Sequence, residues 1–172
     1  MNIRPATDAD RNAIWNIFQQ VVADEDTYAL DPNISRADAL AYWFAPGTHV
    51  YVVELDSLKQ PSSEPDVCIA GTYILRANQS GGGSHVANAG FMVSANARGE
   101  GIGRAMAEHC LTEARRIGFR AMQFNYVIST NTAAIHLWQD LGFEIAGTLP
   151  DAFRHPAKGY VDVYVMYRSL VS

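Results

Sequence analysis

A glycine-rich segment at positions 98–104, Arg-Gly-Glu-Gly-Ile-Gly-Arg, constrains the fold more than any other feature of this chain. It follows a strand predicted at residues 85–93 and precedes a helix predicted at residues 102–117. Glycines let a ligand approach the main chain closely, and the first turn of a helix carries free N–H groups with a partial positive charge. The segment therefore predicts an anion-binding turn between a strand and a helix.

Two familiar phosphate-binding motifs do not match this segment. The phosphate loop of nucleotide hydrolases needs Gly-Lys followed by Ser or Thr, and no lysine lies near the turn. The dinucleotide fingerprint needs a glycine where Arg104 stands and an acidic residue about 20 positions later, and residues 120–125 contain none. A purely structural turn remains open as an alternative. Arg98 and Arg104 flank the turn and could add charge-assisted hydrogen bonds to phosphate oxygens.

Hydrophobic periodicity predicts an α/β fold with the element order β-α-α-β-β-β-α-β-α-β-β. Helices are predicted after the capping pairs Thr7 with Asp10 and Ser35 with Asp38, and at residues 102–117 and 132–141. Strands are predicted at residues 2–5, 49–55, 67–76, 85–93, 121–127, 143–149 and 159–167. A polar stretch at residues 56–66 is predicted to be a long hairpin loop. Together these elements predict one mixed sheet of about seven strands with helices on both faces, antiparallel first and with helix crossovers later.

Length and composition exclude several classes of protein. A chain of 172 residues, 48% hydrophobic and 18% charged, fits one domain over residues 1–172 that needs neither disulfides nor a metal for its core. A net charge of −5 with only two lysines argues against a nucleic-acid binder. No apolar run suits a membrane span or a signal peptide. Cys68 and Cys110 lie in apolar contexts, which favours free thiols and a cytoplasmic location.

The glycine-rich segment resembles the acetyl-CoA pyrophosphate loop of the GNAT family of N-acetyltransferases. The family pattern is Arg/Gln-x-x-Gly-x-Gly/Ala, met here by Arg98, Gly101 and Gly103. Residues 131–143 are similar to the family's second motif, Asn-x-x-Ala-x-x-Leu-Tyr-x-x-x-Gly-Phe. The two motifs stand in the family's order and at its usual separation, and the predicted element order matches over nearly the whole chain.

The resemblance implies an enzyme that moves an acetyl group from acetyl-CoA, as co-substrate, directly to an amine without a covalent enzyme intermediate. It also implies that main-chain groups at positions 91–93 hold the pantetheine arm, and that their strand carries a bulge that directs an N–H at the thioester carbonyl. The residues implied to contact acetyl-CoA are Phe91, Met92, Val93, Arg98, Gly99, Glu100, Gly101, Ile102, Gly103, Arg104, Asn131 and Trp138. The family often forms dimers, so a homodimer is a further implication.

Trp138 departs from the family pattern. Many members carry a tyrosine at this position that protonates the departing thiolate, and an indole N–H is not a usable acid. Water, Tyr126 and Tyr164 remain open as the proton source. The departure also keeps open a function of another class, a catalytically silent CoA-binding sensor.

Two asparagines mark the expected acceptor pocket. Asn88 precedes Phe91 on the strand that enters the glycine-rich turn, and Asn125 lies in the next strand. Both could point to the place where these strands separate, or each could bond only to local backbone groups.

A second, shorter resemblance concerns the acceptor. Residues 88–91 and 124–126 are similar to a branch of the family that includes fungal N-acetyltransferases for proline analogues such as azetidine-2-carboxylate. This resemblance implies that Asn88, Phe91 and Asn125 hold a small amino acid or cyclic imino acid, with Asn88 as the candidate catalytic residue. Acylation of a peptide or protein N-terminus or lysine remains the alternative to a small-molecule amine.

The sequence offers several candidates for a general base. His155, predicted between the last two strands, and His85, at the start of the strand leading to Asn88, can accept a proton near neutral pH. Glu54 and the acidic run at residues 24–26 could instead attract a cationic acceptor. No His, Cys, Asp or Glu cluster has the spacing of metal ligands, so no metal is expected.

Overall fold

The computed structural model describes residues 1–56 and 67–171, which form a seven-stranded mixed sheet with helices on both faces. The strands are β1 (Asn2–Pro5), β2 (His49–Asp56), β3 (Val67–Ala77), β4 (Val86–Val93), β5 (Ala121–Ile128), β6 (Glu144–His155) and β7 (Gly159–Ser169). The α-helices are α1 (Arg11–Ala23), α2 (Arg36–Trp43), α3 (Ile102–Ile117) and α4 (Thr132–Asp140). The predicted α/β class, element order and sheet are confirmed.

The sheet has the strand order β1-β2-β3-β4-β5-β7-β6. Its first four strands are antiparallel neighbours, whereas β4 and β5 are parallel and are joined through α3. β5 and β6 flank β7 and are both antiparallel to it, and α4 makes the crossover between them. The antiparallel first part and the later helix crossovers therefore lie where the periodicity predicts them.

The sheet separates two apolar clusters. On one face, Ile14 of α1 and Trp43 of α2 pack with Ile74 of β3. On the other face, Met106 of α3 packs with Tyr73. Because successive strand residues point to opposite faces, Tyr73 and Ile74 belong to different clusters. None of the helices in the described ranges combines the length and the hydropathy that crossing a lipid bilayer requires.

β6 is longer than predicted. The sequence predicts a strand at residues 143–149 and a connection that contains His155, whereas β6 ends at His155, which pairs with Gly159 of β7. The register slips between Ile145 and Gly147, and again between residues 149 and 153. Such bulges interrupt the period-two pattern, so the alternation of side chains does not reveal the second half of the strand.

The predicted hairpin loop lies almost wholly outside the described part of the chain. Its residues 57–66 are not among those described. The flanking strands β2 and β3 are antiparallel neighbours, as a hairpin requires.

Asp10 joins the start of α1 to the edge of the sheet. Its carboxylate accepts hydrogen bonds from the main-chain N–H of Thr7 at 2.7 Å and from two guanidinium nitrogens of Arg4 at 2.8 and 2.9 Å. Arg4 lies on β1 and also donates to Glu54 on β2. The hydrogen-bonded guanidinium of Arg4 holds the pKa of Asp10 at about 2, below its ordinary value of 3.8, although burial acts in the opposite direction.

We expect Asp10→Asn to lower the free energy of unfolding at pH 7 by about 2 kcal/mol, since one pKa unit corresponds to about 1.4 kcal/mol. A carboxyl group with a lowered folded-state pKa stabilises the fold above its unfolded pKa and loses this contribution as the pH falls. The wild type should therefore lose stability between about pH 4 and pH 2 more steeply than Asp10→Asn in urea unfolding. Asp8→Asn is the control, because the Asp8 side chain is 92% exposed. Equal losses in the two variants would contradict this role for Asp10.

Candidate functional site

β4 and β5 separate after only two residue pairs, and the opening between them is the centre of the site. Val86 pairs with Ala121 and Ala87 pairs with Met122, after which the parallel pairing ends. β4 nevertheless stays paired with β3 along its other edge, and β5 stays paired with β7 apart from a register shift between Phe124 and Val127. A cleft of about 600 Å³ lies at this opening.

The register with β3 decides which main-chain groups of β4 face the opening. Ser94 donates a hydrogen bond to the carbonyl of Ala70, and Asn78 donates one to the carbonyl of Val86. These bonds show that the even-numbered residues of β4 bond to β3. The odd-numbered residues turn their N–H and C=O groups to the other edge, so Phe91 presents an N–H to the opening.

The same alternation distinguishes the three residues predicted to hold a pantetheine arm. Phe91 and Val93 present main-chain groups to the opening, whereas those of Met92 are directed to its partner Thr72 on β3. The side chain of Met92 is buried beneath α1 and α2. Main-chain contacts from this segment are thus available only at Phe91 and Val93.

The bulge that the family resemblance implies is absent from β4. Its register with β3 runs without interruption over residues 71–77 and 87–93, whereas a bulge would insert one extra residue. Regular pleating is sufficient here, because the departure of β5 already leaves one edge of β4 open.

The glycine-rich turn leads from β4 to the N-terminus of α3. Gly99 and Gly101 have φ angles of 85° and 75°, and a Cβ added at either would meet open space. Gly101 is the N-cap of α3, and no described side chain caps this helix or places a carboxylate in its first turn. Glu100 lies exposed between the two glycines. Free N–H groups, helix polarity and an accessible main chain form a cradle for an anion.

The first two residues of α3, Ile102 and Gly103, make different packing contacts. The side chain of Ile102 is buried in the core with Met106, so only its main chain is available to a ligand. A Cβ at Gly103 would come within 3.9 Å of Leu137, so the lack of a side chain keeps α3 close to α4.

The two arginines that flank the turn are paired with carboxylates. Arg98 donates to Asp24 at 3.0 Å, and Arg104 donates to Asp140 at 2.8 Å with Glu108 at 3.9 Å. These side chains are about half exposed, so water screens the pairs and either guanidinium can exchange partners readily. Arg98 also lines the cleft, whereas Arg104 bridges α3 and α4.

α4 forms another wall of the cleft through Asn131 and Trp138. Asn131 is the N-cap, and its Oδ1 accepts a hydrogen bond from the N–H of Ala134 at 3.2 Å, which leaves its side-chain N–H groups for other partners. Trp138 is buried, with its ring centroid 5.1 Å from that of Phe91 and 4.6 Å from that of Phe124. Its indole therefore packs in an aromatic cluster at the side of the cleft.

Asn88 lies where β4 and β5 part. Its side-chain NH₂ group donates to the carbonyl of Gln123 on β5 at 2.9 Å. Asn125 donates to Asn78 at 2.6 Å and accepts from the Gln123 side chain at 2.8 Å. Both Asn88 and Asn125 line the cleft. Asn88 also bonds to a backbone carbonyl, whereas Asn125 bonds to side chains.

Tyr28 and Arg76 are among the cleft residues that the sequence did not single out. Tyr28, between α1 and α2, donates its hydroxyl to the carbonyl of Phe91 at 2.9 Å, and burial raises the pKa of Tyr28 above its ordinary value. Arg76 on β3 is the direct partner of Asn88, and its guanidinium carbon lies 5.1 Å from the centre of the Tyr42 ring. The one available signal was a charge at the end of an otherwise apolar strand.

The histidines considered as general bases do not line the cleft. Nδ1 of His85 lies 3.1 Å from the carbonyl oxygen of Gly82, before β4 begins. His155 ends β6, and its Nδ1 accepts a hydrogen bond from the N–H of Ala157 at 3.1 Å. Both histidines are bonded within local turns and lie outside the lining of the cleft.

Among the acidic candidates, only the run at residues 24–26 reaches the cleft, through Asp26. Asp24 is paired with Arg98, and Glu54 is bonded to Arg4 and Asn2 at the outer edge of the sheet. In the described ranges, no three His, Cys, Asp or Glu side chains come together in a way that could hold a metal ion.

The two tyrosines considered as proton donors occupy different places. Tyr126 lines the cleft and donates its hydroxyl to the carbonyl of Ala152. Tyr164 on β7 packs against the core beneath α3 and α4 and does not line the cleft. Of the two, Tyr126 is therefore the one within reach of a bound ligand.

Comparisons with known proteins agree with this geometry. Residues 13–143 match the model of the acetyltransferase (GNAT) family. The N-acetyltransferase aca1 of Schizosaccharomyces pombe is 38% identical over 149 residues, which cover 81% of this chain and 70% of that protein. A GCN5-related N-acetyltransferase from Kribbella flavida has a TM-score of 0.86 and 42% identity, covering 98% of this chain and 96% of that one. The structure of yncA from Salmonella typhimurium with its cofactor acetyl-CoA has a TM-score of 0.81 and 26% identity, covering 100% of this chain and 95% of that one.

The chain belongs to the acetyltransferase (GNAT) family. The match over residues 13–143 includes both the glycine-rich turn and the segment that begins at Asn131. The predicted family and the predicted class of enzyme, an N-acetyltransferase, are therefore confirmed.

We expect Tyr28→Phe to lower the free energy of unfolding by about 1 kcal/mol, because the carbonyl of Phe91 loses a buried hydrogen-bond donor. Urea unfolding at neutral pH measures this loss. Tyr160→Phe is the matched control, since Tyr160 is 69% exposed and should change stability little. Equal changes in the two variants would contradict the role assigned to the Tyr28 hydroxyl.

Proposed function

We propose that this protein transfers an acetyl group from acetyl-CoA to the amine of a small molecule, an amino acid or amino-acid analogue, by direct attack in a ternary complex. The observation that carries the proposal is the opening between β4 and β5, which gives one cleft both a path to the glycine-rich turn and a set of polar side chains. The proposed catalytic domain spans residues 1–172. A cytoplasmic location and a homodimer remain predictions from the sequence.

The donor groups along the cleft fit acetyl-CoA. The open cradle at Gly99 and Gly101 suits a pyrophosphate, with the guanidinium of Arg98 close by. In the proposal, the main chain of Phe91 and Val93 and the side-chain amide of Asn131 contact the pantetheine arm. Glu100, Ile102, Gly103 and Arg104 contribute through their main chain, while Trp138 packs beside the arm. When bound, acetyl-CoA supplies an acetyl group activated as a thioester.

The acceptor must present a neutral amine to the acetyl carbon. Its nitrogen forms a bond to that carbon while the carbon–sulfur bond breaks, so the amine loses one proton and the thiolate gains one. The N–H of Phe91 is directed into the opening, where it can stabilise the negative charge that develops on the carbonyl oxygen; one such donor is worth ~3 kcal/mol. Much of the remaining rate enhancement comes from positioning the amine.

The proposal assigns the acceptor side to Asn88, Phe91 and Asn125. Because the NH₂ group of Asn88 is held by Gln123, its Oδ1 is left to accept an N–H of the amine and to orient the nitrogen lone pair. Asn125 is fixed by its bonds to Asn78 and Gln123, so its position is set before a ligand arrives. Tyr126 and water are the proposed proton donors to the thiolate.

The segment between α1 and α2 favours a small acceptor. Residues 26–30 line the cleft, and the hydroxyl of Tyr28 holds this segment against β4. A cleft with this segment as one wall suits a small molecule, whereas a peptide acceptor requires an open groove. Peptide or protein acetylation, and a silent CoA-binding sensor with Trp138 in place of the acidic tyrosine, are the alternatives.

The proposed reaction is tested by measuring free-thiol release from acetyl-CoA over a panel of amino acids, cyclic imino acids, polyamines and short peptides. We expect release with at least one amino or imino acid. Release with peptides alone would favour the peptide alternative. Binding of CoA without release for any amine would favour the sensor.

We expect Gly101→Glu to weaken acetyl-CoA binding by at least about 100-fold, because it places bulk and negative charge at the proposed pyrophosphate site. Isothermal calorimetry measures the affinity. Gly47→Glu is the matched control, since Gly47 also has a positive φ of 78° with open space around it, but lies in the turn after α2. An unchanged affinity in Gly101→Glu would refute the assignment of the turn.

A further inference from the structure

Arg76 places a cation at the acceptor end of the cleft, and the proposed function does not use it. Arg76 on β3 and Asn88 on β4 form a directly opposed, hydrogen-bonded pair, so their side chains lie side by side. Ile74 and Met92, an even number of residues away on the same strands, pack beneath α1 and α2. Arg76 and Asn88 therefore share the face of the sheet that these two helices cover.

The guanidinium of Arg76 has no ion pair among the described side chains. Within residues 1–55 and 68–171, no Asp or Glu oxygen lies within ion-pair distance of it. Its side chain is held over the ring of Tyr42 by a cation–π contact. The residue is half-buried and lines the cleft. A partly desolvated cation that faces a cavity favours an anionic ligand.

The groups around Arg76 are mainly neutral amides. A smaller cavity of about 280 Å³ beside the cleft is lined by Arg76, Asn78, Asn88 and Asn125. The side chains of Asn78 and Asn125 bond to each other. Among these lining residues, Arg76 carries the charge. A planar guanidinium with amides beside it suits a carboxylate, which can accept two parallel N–H bonds from it.

The spacing suits a molecule that carries an amine next to its carboxylate. Asn88 precedes Phe91 by three residues, about 10 Å along a strand. This length can hold a chain of groups between Phe91 and Arg76. It runs from the thioester carbonyl at the N–H of Phe91 to the attacking nitrogen, then through one carbon to the carboxylate and the guanidinium. Asn88 stands at the Arg76 end of this length, and its Oδ1 can accept an N–H of the amine.

We propose that Arg76 binds the carboxylate of the acceptor and thereby selects α-amino or α-imino acids over amines that lack a carboxylate. The inference rests on the proposed function and assigns the specificity of that same site. Asp26 is a further charged residue on the cleft wall, and its negative charge would oppose a carboxylate placed away from Arg76.

The test pairs each amino acid that the enzyme acetylates with its primary carboxamide, which has similar shape but no negative charge. We expect Arg76→Gln to lower kcat/KM for the acid by about 10- to 100-fold, mainly through KM, and to change that for the carboxamide by less than about twofold. KM for acetyl-CoA should not change. For each substrate, kcat/KM of the variant is divided by kcat/KM of the wild type. This ratio cancels the intrinsic difference in reactivity between the two amines. Arg120→Gln, an exposed residue outside the cleft, is the control.

A second measurement needs no turnover. Calorimetry with the N-acetylated product of the same amino acid should show a loss of affinity in Arg76→Gln similar to the rise in KM. If Arg76→Gln does not fold, Arg76→Lys takes its place. This variant retains the charge but loses the planar guanidinium, so it should lower kcat/KM by a smaller factor, and for the acid alone.

The outcomes separate this inference from the proposed function. Equal losses for acid and carboxamide, or an unchanged preference for the acid in Arg76→Gln, would overturn the role of Arg76. Wild-type enzyme that acetylates amines without a carboxylate as well as acids would overturn it too, while leaving the proposed acetyl transfer intact. No thiol release with any amine would overturn both.

Discussion

The parting of β4 and β5 is the constraint on which the rest of this structure depends. A strand in the middle of a sheet normally pairs on both edges, and a buried N–H or C=O without a partner is costly. Here β4 pairs with β5 at only two positions, so one edge of the strand must find other partners. Tyr28 supplies a donor to the carbonyl of Phe91, and Asn88 supplies one to the carbonyl of Gln123. Side chains that bond to the separated strands thus also line the cleft.

An acidic protein can receive anionic ligands because its positive potential is local. The net charge is −5, and the flanking Arg98 and Arg104 are already paired with carboxylates. The first turn of α3 provides N–H groups that no described side chain caps, and Arg76 provides a guanidinium that packs over the ring of Tyr42. In the proposals, the first turn of α3 holds the pyrophosphate and Arg76 holds the acceptor carboxylate. As proposed, the two ends of the cleft would bind anions by different physical means.

Local signals made most of the fold predictable from the sequence. Ser35 accepts from the N–H of Asp38 as its capping pair predicts, and glycines at 99 and 101 adopt the positive φ that only they tolerate well. The bulges that extend β6 to His155 depend on pairing with β7, which no local pattern records. Tyr28 reaches Phe91 across 63 positions, so only the packed structure reveals it. The absent bulge in β4 shows how a family expectation can be replaced by another route to the same open N–H.

The central claim is that the odd-numbered main-chain groups of β4 and the first turn of α3 meet acetyl-CoA. Backbone amide NMR during titration with CoA, followed by hydrogen exchange, tests it most directly. The account predicts that the amides of Phe91, Val93 and Ile102 shift and gain protection, while the amide of Met92, already bonded to β3, changes little. Equal responses along β4, or the largest responses outside the cleft, would contradict it.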